Sequence, residues 1–92
     1  MAVSDKSAKL RESAAAQIRW LRWHWESDDR RRELEPDIVA RTERHGGRWI
    51  VIRDGRVVAT PGKAGRVFQR ELSAGGHQYW VAPPGTVRPR IP

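Results

Sequence analysis

The chain has no cysteine among its 92 residues. That removes a disulfide framework, thiolate-bound zinc and a thiol nucleophile together, and it suits a reducing compartment without requiring one. No apolar run reaches the roughly 18 residues of a membrane helix, and MAVSDKSAKLRE has no apolar centre of signal-peptide length. The expectation is a soluble, cytoplasmic protein; binding to a membrane surface is not expected. Acidic residues are few, 11 against 18 basic ones, and lysine is scarce among the cations, three against fifteen arginines. The three histidines, His24, His45 and His77, never take a spacing that sets two imidazoles on one helix face. Each reads as a solvated or capping histidine; no metal, no cofactor and no catalytic residue are expected. Phenylalanine and tyrosine occur once each, which leaves five tryptophans to carry most of the aromatic surface.

A chain of this length makes one domain that buries only about 60–65% of its unfolded surface, so its core is small. The net charge of +7 is unevenly spread: residues 1–34 carry +2, residues 35–47 carry −1 and residues 48–92 carry +6. Such a basic half attracts phosphate backbones and acidic proteins alike. The same excess of Arg, Ala, Gly and Pro also arises from nucleotide composition alone.

The stretch GGRWIVIRDGRVVATPGKAGRVFQRELSAGG, residues 46–76, organises the rest. Asp54-Gly55 between two apolar runs predicts a type I′ hairpin, because both central residues need positive φ. Counting outward pairs Arg53 with Arg56, Ile52 with Val57, Val51 with Val58, Ile50 with Ala59 and Trp49 with Thr60. One face is then Ile50, Ile52, Val57 and Ala59, expected to meet the following helix. The other holds Trp49, Val51 and Val58, expected to be covered by the N-terminal helices or a second subunit. Thr60 and Pro61 predict the start of that helix, Ala64, Val67, Phe68 and Leu72 its apolar stripe, and Gly75-Gly76 a left-handed stop. HQYWVA, residues 77–82, predicts a third strand ended by Pro83-Pro84, parallel to the second and on the far side of the first.

GGRWIVIRDGRVVA, followed by a short helix and a strand ending near prolines, resembles a family of small prokaryotic domains of unknown function. In these a Gly-[Lys/Arg]-Trp-[Val/Ile]-Ala-like strand runs into Asp-Gly-[Lys/Arg]-Val-Val-Ala. The likeness covers residues 37–84; Ile50-Val51-Ile52 and the glycine-rich helix start depart from it. It implies a fold and no catalytic residue.

The first 34 residues predict a helical arm capped at Ser4, with Leu10, Ala14, Ile18, Leu21 and Trp25 gathered into a buried stripe at 100° per residue. Trp20 and Trp23 fall between that stripe and the polar face. Ser27-Asp28-Asp29 reads either as a new cap or as acid-before-base pairs on a continuing helix; on a helix the two aspartates diverge rather than converge on a reaction. Pro36 breaks the helix, and a short second one over residues 37–45 ends at Gly46-Gly47. Residues 35–84 thus form a short helix plus a ββαβ unit, and VRPRIP within residues 85–92 a basic extended tail, disordered or docked on a partner.

The fold class expected is α+β: a long N-terminal helix and a short one, then a ββαβ module with a three-stranded mixed sheet. RWLRWHW, residues 19–25, is the most unusual stretch for function, since Trp and Arg dominate interface hot spots. The expected role is a non-catalytic accessory or adaptor module that binds a protein partner or its own copy through Arg19, Trp20, Arg22, Trp23, Trp49, Val51 and Val58. The alternative is a basic nucleic-acid-binding protein using Arg48, Arg53, Arg56, Lys63, Arg66, Arg70, Arg88 and Arg90. The glycines around Lys63 lack P-loop spacing and offer a helix-start anion contact at most.

Overall fold

The computed structural model describes residues 2–60 and 65–91, with side chains from Arg11 onward. A 31-residue helix, α1 (Ala2–Arg32), leads into α2 (Pro36–Thr42) and a 3₁₀ turn at Glu43–His45. The strands β1 (Arg48–Arg53) and β2 (Arg56–Ala59), the helix α3 (Gly65–Ser73) and the strand β3 (His77–Val81) follow. The helix α1 already runs at Ser4 and continues through Ser27-Asp28-Asp29, so neither position is a cap. The expected start of α3 at Pro61, and Lys63 and Ala64 with it, lies outside the described residues.

Asp54 and Gly55 both take positive φ, 53° and 73°, as the type I′ turn requires. Beyond it Arg53 pairs with Arg56 and Ile52 with Val57. The next partner of β1 is then displaced: Val51 stands opposite Ala59, and Val58 is the extra residue of a bulge. The expected pairings of Val51 with Val58, Ile50 with Ala59 and Trp49 with Thr60 are corrected accordingly, because a bulge sets two residues against one and turns the strand that carries it.

The sheet order is β2-β1-β3, with β1 antiparallel to both neighbours. The third strand does run parallel to β2 on the far side of β1, as expected, yet the sheet is not mixed. With β1 between them, β2 and β3 never share a ladder, and every hydrogen-bonded pair is antiparallel.

The aliphatic face is covered by a different helix from the one expected, whereas the other face is shared: α1 meets its Trp49 end, as expected, and α3 its Val51 end. Ile50, Ile52 and Val81 form a core with Val57, Tyr79, Leu34 and Ile38, so the aliphatic face meets the α1–α2 elbow. The helix α3 lies on the Val51 side instead, where the Arg53 Nε donates to Glu71 Oε2 at 2.7 Å. Gly75 ends α3 with φ 100°, Gly75 N–H reaches Leu72 O and Gly76 N–H reaches Glu71 O, a Schellman closure. A side chain at Gly76 would stand 2.6 Å from Val51 Cγ1, so glycine is what lets the chain turn back over the sheet.

What assigns the faces is α1. The strand β3 is an edge, and its outward amides would be a template for another strand. Trp80 N–H donates to Ser27 Oγ at 2.9 Å and Ala82 N–H to Asp28 Oδ1 at 3.0 Å, so α1 closes that edge with side chains. Fixing α1 there delivers Leu34 and Ile38 to the aliphatic face.

Only the later part of α1 touches the sheet. At 1.5 Å per residue the helix is about 46 Å long, in a molecule 55 Å in its longest extent. Every residue from Arg11 to Gln17 is exposed. The expected buried stripe is therefore buried at Trp25, half-buried at Ile18 and Leu21 and open at Ala14, because β3 is five residues long and gives the earlier turns nothing to lie on.

Candidate interaction site

RWLRWHW occupies the turns of α1 where the helix leaves the sheet. At 100° per residue Leu21, His24, Trp25, Asp28 and Arg31 fall on one arc, and Trp20 and Trp23 on its flank. His24 and Trp25 are buried, whereas Trp20 is 53% and Trp23 50% exposed.

All five indoles form one aromatic assembly centred on His24. Trp20 lies over the imidazole with centroids 3.7 Å apart, and Trp23 packs on Trp49 at 4.5 Å and 34°. Trp80 meets His24 edge-on at 5.0 Å and Trp25 at 5.3 Å. The His24 Nδ1–H donates to the Trp20 carbonyl at 2.7 Å, and its Nε2 accepts the Trp49 Nε1–H at 3.1 Å. His24 is thus a core residue, not a solvated or capping one. Its place on the inner arc, about 60° from Leu21 and between Asp28 and Arg31, was the signal that could have found it.

Behind this assembly the acid-before-base reading of Asp28 holds, with Arg31 and Arg32 at i+3 and i+4, and the Asp28–Arg31 pair is buried. Arg31 is fully buried; its Nη2 and Nε donate to Asp28 Oδ1 at 2.6 and 3.0 Å. Its Nη1 donates to Thr42 Oγ1 at 2.8 Å and Glu43 Oε1 at 3.1 Å. The Thr42 hydroxyl in turn donates to Val39 O, and Arg32 Nε donates to Asp28 Oδ2. One guanidinium therefore ties α1 to α2 and the 3₁₀ turn, and one carboxylate ties α1 to β3. The neighbouring Asp29 faces the other way and pairs with Arg88, so the two aspartates do diverge.

Burial by itself would push the Asp28 pKa up. The Ala82 amide, the Arg31 hydrogen bond and charge, and the Arg32 charge outweigh it and hold the group below its ordinary 3.8. A carboxylate depressed in the folded state adds stability that is complete above the unfolded pKa of about 4 and is lost as pH falls through the lower folded value. Thermal melts across that window should show the wild type losing stability and Asp28→Asn, less stable at neutral pH, converging on it. A gap that stays constant down to the acid limit would contradict this account.

The remaining predicted site residues are dispersed. Val51 is fully buried and unavailable to a partner; Val58 is half-buried and Trp49 is engaged by His24 and Trp23. Arg19 and Arg22 lie exposed beside the indole pair. Of the basic residues, Arg53 pairs with Glu71 and Asp54, and Arg88 with Asp29. Arg66 and Arg70 are exposed on α3, Arg48 at the start of β1, Arg56 after the turn and Arg90 in the tail. That tail is docked on its own chain: Ile91 packs against the cluster of Trp25, Trp80 and Ala82. Among the described residues no three His, Asp or Glu side chains gather where a metal could be held. Among the described residues no helix is long and apolar enough to cross a membrane. Comparison with protein-family models, with curated proteins and with solved structures returns no match, and the likeness of the hairpin to small prokaryotic domains rests on its motif alone.

Proposed function

We infer that the protein is a non-catalytic interaction module that docks a protein partner, of another sequence or its own, on the α1 face bearing Trp20 and Trp23. The observation that carries this reading is that two indoles stand half in water on adjacent turns while the rest of the aromatic assembly is turned inward. They are held in place from behind, Trp20 by His24 and Trp23 by Trp49. A partner would find rigid anchors with little side-chain entropy left to lose.

Magnitude extends the interface beyond the pair. An indole buries roughly 150–250 Å², so the two open halves expose about 150–250 Å² together and are worth roughly 4–6 kcal/mol. Association costs at least that much. The docking face therefore continues along the exposed turns from Arg11 to Gln17, which the sheet leaves uncovered, with Arg19, Arg22 and Glu26 at its polar rim. The nucleic-acid reading draws less support, since two of its residues, Arg53 and Arg88, are already ion-paired.

The double variant Trp20→Ser/Trp23→Ser separates folding from docking. Wild-type protein should sediment as an oligomer, or retain a stoichiometric partner when purified from its native cell. The variant should lose that association by at least about a hundredfold, as two hot-spot residues would cost, with its far-ultraviolet spectrum unchanged. A wild type that stays monomeric at high concentration and retains nothing, or a variant that keeps the partner, would overturn the reading.

A further inference from the structure

A second feature stands away from the indoles, where α2 crosses the turn end of the hairpin. Ile38 reaches over the turn, with its Cδ1 3.5 Å from where a side chain at Gly55 would begin. Between helix and hairpin lies a concavity of about 440 Å³ lined by Ile38, Val57 and Ala40 together with Arg41, Arg44 and Arg56. That is the size of a small-ligand site, which runs from about 300 to 1,000 Å³.

The charges around it are uncompensated. Arg31, Arg32, Arg53 and Arg88 each have a carboxylate within 4.0 Å. Arg41, Arg44 and Arg56 have none among the described residues, and no acidic residue lines the concavity. Three guanidinium groups facing one space repel one another unless an anion sits among them, and their planar forks match phosphate oxygens two at a time. His45 lies beside Arg44, outside the lining. Burial and the charges of Arg44 and Arg48 hold its pKa below 6.5, and its Nε2 accepts the Arg44 Nε–H.

We propose that this concavity binds a terminal phosphate or diphosphate attached to an apolar or planar group, of the kind a nucleoside diphosphate presents. Three cations favour a ligand with two or three negative charges over a single carboxylate. The aliphatic lining takes the flat face of a base or ring. The site is a bounded hollow, not a track: Arg66, Arg70 and Arg90 do not line it.

The test uses the full chain titrated calorimetrically with a nucleoside diphosphate, with inorganic pyrophosphate and with a 5′-phosphorylated single-stranded oligonucleotide. Binding of the nucleoside diphosphate should exceed that of pyrophosphate and weaken between about 50 and 200 mM salt. Arg41→Ala and Arg56→Ala, both exposed and without a partner to lose, should each weaken it at least about tenfold, the loss of one charge-assisted pair. The pKa of His45, followed by its ring-proton resonance, should rise when the ligand is bound. The Trp20→Ser/Trp23→Ser variant should bind it undiminished. Tighter binding of the oligonucleotide with the same arginine dependence would support the site and place its phosphate at a strand end. No heat from any of the three at millimolar ligand, or affinity unchanged in Arg41→Ala/Arg56→Ala, would overturn the proposal.

Discussion

Arg31→Ala should lower the free energy of unfolding by about 3–5 kcal/mol, the range for removing one partner of a buried ion pair. In a domain of this size that is a fall in melting temperature of roughly 15 °C or more. The reason is the number of groups one guanidinium serves. It is fully buried, it neutralises Asp28, and it supplies hydrogen bonds to Thr42 and Glu43. Without it Asp28 keeps a buried charge with only Arg32 and the Ala82 amide to stabilise it. Arg31→Lys, which keeps the charge but not the fork, should fall between the two. Arg30→Ala, at an exposed position one residue away, should stay within about 0.5 kcal/mol of wild type. Urea unfolding followed by circular dichroism reads all three. If Arg31→Ala melted beside Arg30→Ala, the joint between α1, α2 and β3 would have to lie elsewhere. If it did not fold at all, the lysine variant would still rank the interaction.

Trp80→Ala should cost a similar amount, about 3–5 kcal/mol as for a large aromatic removed from a core. Its ring is wedged against Trp25 and His24 and stands opposite Trp49 across the ladder. Deleting it opens the joint between α1 and the sheet on the side where no other helix can close it. Trp23→Ala makes the informative contrast. Half of that ring is already in water, and its contact with Trp49 is worth about 0.5–1.5 kcal/mol. Near-ultraviolet dichroism and denaturant midpoints should therefore show Trp80→Ala strongly destabilised and Trp23→Ala close to native, while association fails in Trp23→Ala under conditions where it is folded. Equal stability losses at the two positions would mean that the exposed indole is a structural member like the buried one.

Much of the fold could be read from local chemistry. Asp54-Gly55 names its turn because positive φ at two successive residues admits few side chains, and Gly75-Gly76 names a helix end for the same reason. Pro36 breaks α1 because the residue before a proline leaves the helical region. The order of the strands followed from chain connectivity. The bulge at Val58 did not, because no residue there has unusual φ, ψ demands of its own; it arises from how β2 fits its neighbours. The candidate site was half visible. Trp20 and Trp23 stood out as aromatic residues off the apolar arc, but His24 looked polar, since a histidine's burial depends on what its two nitrogens meet. One meets a carbonyl a turn away, which sequence contains, and the other meets Trp49 across 25 positions, which it does not.

The charged residues show the same division most sharply. In the chain Arg31 is the middle of three arginines and Asp28 one of two aspartates, with nothing to rank them. Helix periodicity puts Asp28 and Arg31 on one face, and that much local geometry decides. Whether the face meets water or an amide of β3 depends on a strand fifty positions later, and the energy of a charge changes by several kcal/mol between the two settings. By itself the sequence determined the elements, their order and the hairpin turn, all of which follow from backbone sterics and periodicity within a few residues. Tertiary structure alone decided which helix covers which face, which arginine is buried, which three line one concavity, and which two indoles stay open. Those outcomes depend on burial and on partners far along the chain.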